Sequence, residues 1–337
     1  MNDPSSSEPA DDDMLEAGAP RGNPFGAFAI RAALGVAVVA LLLRHYDARP
    51  VFHALAHEHL SYFFAAIALY VASQVMSAWR WQLLARVNGI PGPFREYLAY
   101  YFIGVFTNLF VPGLVGGDAA RSLYLGRRHD RLADAIASVV ADRGVGLLAV
   151  FWFAAGCALA MRTVKLPPSI LHVTVSIGAA ALAGWLTSPL IARFASRLGV
   201  RFDRLVEPFL RFMRRPAALI PAILLSLLLQ AALAICQYLL ARGLGLNISL
   251  ATFMLCVPIA NVFASLPITL NGLGVREAAY LVLFGYAGVA RPDAIALGLL
   301  WFASTILGGL TGIFAFVTTK LPASSDDKAE AESEVAH

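Results

Sequence analysis

Charge is scarce in this chain. Only 14% of its 337 residues are Asp, Glu, Lys or Arg, where a soluble domain carries about 25%. Cysteine is scarcer still. Cys157, Cys236 and Cys256 stand far apart, each inside an apolar stretch and without metal-ligand spacing. They read as small core or lipid-facing residues. No phosphate-binding P-loop, zinc-protease motif or G-x-S-x-G elbow occurs, so the common signatures of nucleotide, peptide and ester chemistry are missing.

What the chain has instead is hydrocarbon. Apolar residues make up 58% of it, and the mean hydropathy is +0.68. Several windows approach or exceed the ~18 apolar residues that mark a membrane span. The fold class this predicts is all-α: a polytopic helical membrane protein with six to nine spans and re-entrant broken helices. Residues 1–24 differ, with Ser5 to Ser7, Asp11 to Asp13 and four Pro. They read as a disordered acidic tail, and not as a signal peptide, because no basic region precedes the first apolar run. A second polar tail covers residues 321–337, leaving 25–320 as the membrane domain.

Nine apolar segments stand out: Phe25 to Leu43, Ser61 to Leu84, Tyr97 to Val115, Asp134 to Ala160, Ile170 to Thr187, Ala218 to Ala241, Ala251 to Thr269, Val275 to Ala290 and Ala294 to Val317. Basic loops orient them. The stretch from Arg193 to Arg215 holds seven Arg, and that from Arg121 to Arg131 holds four. Two spans separate these loops, so both fit the cytoplasmic side. Arg86 and Arg95 put the loop from Ala85 to Glu96 there too. The segment from Tyr97 to Val115 then returns to the side it entered from, as a re-entrant hairpin with Pro112-Gly113 near its tip. A matching hairpin around residues 265–275, entered from the opposite face, places both tails in the cytoplasm. Nine full spans with tails on opposite sides is the alternative. The basic linker itself has a helical pattern, with Phe194, Leu198, Leu205, Phe209 and Phe212 on one face, and suits an interfacial helix.

Two interruptions carry the polar chemistry. The first is Asn108-Leu-Phe-Val-Pro112-Gly113-Leu-Val-Gly116-Gly117-Asp118-Ala-Ala-Arg121, and the second runs from Ser265 through Pro267, Asn271, Gly272 and Gly274 to Arg276-Glu277. Broken backbone at membrane depth is tolerated only where it is buried in protein or lines a wet cavity. Ionisable residues there mark a functional path. Asp118 is placed to cap a helix, with Arg121 one turn on. Asp142-Arg143 lies in an otherwise apolar or small stretch. Neighbours on a helix point apart, so each needs a partner on another helix. Arg121, Arg276, Asp118 and Glu277 are the opposite charges available, and all six are expected in one buried network. A structural ion network that only fixes packing is the competing reading. His53, His57 and His59 read as a polar loop, not a metal site. Gln74, Trp79, Arg80 and Trp81 read as an interfacial anchor.

At these residues the chain resembles the membrane domain shared by lysylphosphatidylglycerol synthases and smaller flippase-like membrane proteins. The matching pieces are Asn108…Pro112-Gly113…Gly116-Gly117-Asp118…Arg121, then Ser138-Val139-Val140-Ala141-Asp142-Arg143, then Pro267…Asn271-Gly272-Leu273-Gly274-Val275-Arg276-Glu277. Their order and spacing fit from about Phe25 to Val317. The resemblance implies a role in moving lipids between leaflets. It does not bring the synthase activity, because only a short polar tail follows Lys320 where the synthases carry a catalytic domain.

The expected function is therefore a translocase, in a bacterial inner membrane, for an anionic or aminoacylated lipid. Asn108, Asp118, Arg121, Asp142, Arg143, Asn271, Arg276 and Glu277 would contact the headgroup. The breaks at Pro112, Gly113, Gly116, Gly117, Pro267, Gly272 and Gly274 would shape the groove. A membrane-embedded enzyme acting on a lipid phosphate is the alternative, although neither break offers a nucleophile with a neighbouring base. A subunit delivering lipid to a separate enzyme is the third. No cofactor, metal or nucleic acid is expected.

Overall fold

The computed structural model describes residue 56 and residues 59–110, 115–160, 167–197, 203–264 and 274–322. The apolar segment from Phe25 to Leu43, most of both tails, His53, His57, and the break residues Pro112, Gly113, Pro267, Asn271 and Gly272 lie outside the described residues. Within these bounds every regular element is a helix: α1 (Leu60–Val87), α2 (Phe94–Phe110), α3 (Val115–His129), α4 (Leu132–Ala160), α5 (Pro168–Arg197), α6 (Asp203–Arg214), a 3₁₀ turn (Pro216–Leu219), α7 (Ile220–Gly243), α8 (Leu250–Ala264), α9 (Val275–Gly285), α10 (Arg291–Leu310) and α11 (Gly312–Thr318).

Among the described residues, five helical stretches are long and apolar enough to cross a bilayer: α1, α4, most of α5, the 3₁₀ turn with α7, and α10 with α11. Their inner faces follow helical periodicity. On α1, Ala66, Ser73, Ser77, Arg80 and Leu84 are all buried, and their spacing puts them on one stripe. That stripe meets α7, which packs along α1 and also against α4 and α8. The largest core cluster gathers Cys236, Phe253, Cys256, Tyr280, Phe284 and Trp301 from α7 to α10. All three cysteines are free and buried, as small core residues should be.

The segment expected from Tyr97 to Val115 as a re-entrant hairpin is described on either side of residues 111–114. Its first part is α2, ending at Phe110, while Val115 already belongs to α3. With 17 and 15 residues, these helices span about 25 and 22 Å, less than the ~30 Å hydrocarbon core. They pack on each other at a glycine contact. A Cβ on Gly117 would collide with the Gly104 carbonyl oxygen and the Asn108 amide. The Asn108 carbonyl oxygen in turn accepts the Gly117 N–H at 2.8 Å.

Other boundaries also differ. The segment expected to Ala290 ends as a helix at Gly285, in a turn with Gly288 at φ +80°, while residues 265–269 of the segment expected to Thr269 lie outside the described residues. The last segment divides at Thr311 into α10 and α11. Gly308 meets Tyr70, Gly309 meets Leu109 and Gly312 meets the Phe102 backbone, so these small residues pack helices within the chain. In the basic linker, α6 is helical and Phe212 is buried, while the side chains of Phe194, Leu198, Leu205 and Phe209 lie outside the described residues.

Candidate functional site

The charges of the first break and of α4 do come together, with one member that the sequence pattern misplaces. Asp142, 1% exposed, accepts from Arg80 Nε at 2.7 Å on one carboxylate oxygen and from Arg121 Nη1 at 3.0 Å on the other. Arg80 also donates to the Ser226 hydroxyl of α7 at 3.0 Å. Gly146, one turn after Asp142, leaves room for that guanidinium, whose nearest nitrogen is 3.5 Å from where a Cβ would stand. Arg80 is thus no interfacial anchor but the hub between α1, α4 and α7. Its neighbours separate as an anchor's would not: Trp79 is 51% exposed and Trp81 fully buried.

A second layer follows. Asp118 receives Arg121 at 2.9 Å and, through both its oxygens, Arg143 Nε and Nη2 at 2.7 and 2.9 Å. Asp118 is not an N-cap, because Val115, Gly116 and Gly117 are already helical. It sits in the first turn of α3, where a carboxylate is still favoured by the helix dipole. The Arg121 guanidinium lies 5.2 Å from the ring centres of both Trp81 and Tyr101, and Trp81 is fixed by its indole N–H donating to Ser138 at 3.0 Å. Three guanidiniums thus share two carboxylates, and the outermost, the Arg143 side chain, is 41% exposed. The network therefore carries one net positive charge toward its open end.

Arg276 and Glu277 are not part of that network, contrary to the expectation of a single six-member cluster. They open α9 after Gly274, whose φ of +83° is a conformation only glycine takes freely. The Glu277 carboxylate turns back to accept the Gly274 N–H, one half of a capping box. Glu277 is fully buried and Arg276 is 8% exposed. Yet Arg276 Nε and Nη1, Glu277 Oε1 and the Tyr280 hydroxyl are buried without a hydrogen-bond partner among the described residues. Gly298 of α10 makes room for Glu277; a Cβ there would stand 2.7 Å from its Cγ.

Two tyrosines that sequence reasoning missed lie within electrostatic reach of the clusters. Tyr101 lies within electrostatic reach of Arg80 and Arg143 and of Tyr70, which is in turn within reach of Arg276. The stripe Val275, Ala278, Ala279 and Val282 of α9 lines an apolar groove of about 580 Å³ together with Phe151 of α4 and Ile177 of α5, and Arg276 is not among the residues that line it. Among the described residues no group of three His, Cys, Asp or Glu could hold a metal. Asn271 lies outside the described residues.

Comparison with known proteins agrees with this architecture. A UPF0104 membrane protein of Pyrococcus horikoshii is 23% identical over 82% of this chain and 94% of its own length. A UPF0104 membrane protein of Methanothermobacter thermautotrophicus is 23% identical over 80% of this chain and 88% of its own. The lysylphosphatidylglycerol synthase TM region matches residues 28–312, a span that takes in α1 to α10 and both charge clusters. The chain is a multi-pass membrane protein and belongs to the lysylphosphatidylglycerol synthase TM region family.

Proposed function

We propose that this protein moves an anionic or aminoacylated membrane lipid between leaflets, with the headgroup held at Arg276 and an acyl chain in the groove that α9 lines. One observation carries the reading: a buried guanidinium with two N–H-bearing nitrogens unpartnered among the described residues, on a helix of which a different stripe, Val275, Ala278, Ala279 and Val282, lines an apolar groove. An unpaired buried cation is costly. A lipid phosphate would satisfy it by charge-assisted hydrogen bonds, while its chain filled the groove. That combination of one anion and one hydrocarbon chain is the outline of a phospholipid.

In this reading the Arg80–Asp142–Arg121–Asp118–Arg143 network holds the helices in register. Arg143, its exposed end, receives the headgroup first, and Tyr101 and Tyr70 line the way to Arg276. The short, mutually packed α2 and α3 act as a re-entrant hairpin entered from the cytoplasm. The chain pattern, with two Gly-rich breaks between apolar segments, matches the inverted broken elements of transporters. Basic loops support a cytoplasmic position for both tails, and we place the chain in a bacterial inner membrane.

The test is leaflet-to-leaflet movement of fluorescent lipids in liposomes holding the purified protein, read by reduction of outer-leaflet dye. Phosphatidylglycerol, an aminoacyl phospholipid and a polyprenyl phosphate form the panel. Movement of at least one, lost in Arg276→Ala, is expected. Equal movement in protein-free liposomes would refute the proposal.

A further inference from the structure

Three acidic side chains lie in the charge clusters, and they are bonded differently. Asp142 has each carboxylate oxygen on a different guanidinium. Asp118 has both oxygens on arginines. In both, every carboxylate oxygen has an arginine partner. Glu277 is the exception. One oxygen accepts a backbone N–H from Gly274; the other has no partner among the described residues, at a side chain with no solvent exposure. Its sequence neighbour Arg276 does not close the gap, because Arg276 Nε and Nη1 are unpartnered there as well.

We propose that Glu277 is a proton-binding site, neutral when Arg276 holds the lipid anion and ionised when Arg276 is empty. This rests on the lipid-anion reading of Arg276. The physical reason is charge balance in a medium of low dielectric. With no anion bound, an ionised Glu277 beside the Arg276 cation keeps the pocket neutral. When a phosphate arrives, the pocket would hold two anions against one cation. Taking up a proton on the free oxygen of Glu277 restores the balance. The proton forms an O–H bond, and the Arg276–phosphate pair replaces the Arg276–carboxylate attraction. Each lipid bound thus brings one proton, which makes the movement sensitive to a proton gradient.

The surroundings leave few other candidates. The charged or titratable groups near this set are Arg276 and Tyr280 on α9, Cys256 on α8 (within reach of Tyr280), and Tyr70 on α1 with Cys236 on α7 beside it. Helix α10 presents Gly298, and its only ionisable residues, Arg291 and Asp293, stand in its first turn. Residues 265–273 contain no ionisable side chain.

The experiment is infrared difference spectroscopy of the full chain in liposomes, titrated from mildly alkaline to mildly acidic pH, with phosphatidylglycerol as the probe lipid and a neutral phospholipid as background. The expected result is a protonated-carboxyl band that grows on adding phosphatidylglycerol and is lost in Glu277→Gln. Glu277→Asp should keep the band at a shifted frequency, which guards against a Gln variant that fails to fold. A band that persists in Glu277→Gln, or no lipid-dependent band in the unaltered chain, would overturn the proposal. Lipid movement in the same liposomes separates the two readings. Movement that ignores an imposed pH gradient sinks the proton site alone. A gradient-independent failure to move any lipid, with the carboxyl band intact, sinks the transport reading and leaves the proton site standing.

Discussion

Two clusters of buried charge lie in this chain, and they differ in how fully they are bonded. Around Asp142, each carboxylate oxygen has an arginine, and Arg80 has a second partner in Ser226. Around Arg276, the guanidinium, the Glu277 carboxylate and the Tyr280 hydroxyl all have open positions among the described residues. A closed network of charges resists change and fixes how helices meet, because breaking it leaves an uncompensated charge. An open cluster is costly until something fills it, so it marks where a ligand belongs. In the proposed reading the first cluster is the frame and the second is the site.

That contrast can be broken from the frame side. Asp142→Ala leaves Arg80 and Arg121 buried without the carboxylate they share. It should cost about 3–5 kcal/mol, seen as a large drop in melting temperature in detergent. Next in size, Gly117→Leu drives a side chain into the Gly104 carbonyl and pries α2 from α3. A cost of about 1–3 kcal/mol is expected, together with new protease cleavage near residues 111–114. Gly298→Ala belongs to the site side. Its Cβ presses on Glu277 Cγ, so lipid movement should fall while the melting temperature shifts less than for Gly117→Leu. Ser226→Ala is the smallest change. It removes one hydrogen bond from Arg80 while Asp142 still pairs it, for about 1 kcal/mol, and lipid movement should persist.

Much of this is legible in the amino-acid order alone. The apolar runs locate the spans, and Asp142-Arg143 announces a buried ion network because such neighbours cannot satisfy each other on one helix. Arg80 misleads because it stands between Trp79 and Trp81 near the end of a span, where an aromatic belt is expected. The signal that could have found it is the polar stripe Ser73, Ser77 and Arg80, whose spacing turns Arg80 inward with the serines. The division of the charges into two clusters is not legible. It depends on which helices touch, and sequence spacing carries no information about whether α3 or α9 reaches α4. The nearness of Tyr70 and Tyr101 meets the same obstacle, since they lie on different helices with nothing local to pair them. Gly116-Gly117 reads as a break, while the structure uses Gly117 for close approach within a helix, because a missing Cβ serves both ends equally.

The central claim is that the open cluster binds and the closed one supports. The most direct test measures melting temperature and lipid movement on the same preparation of Arg276→Ala. Arg276 lacks a full set of partners among the described residues, and Glu277 can take up a proton once that cation is gone, so the melting temperature should fall far less than in Asp142→Ala while movement of the lipid that the unaltered chain carries is lost. An Arg276→Ala protein that melts as early as Asp142→Ala, or that moves lipid at the unaltered rate, would contradict the account.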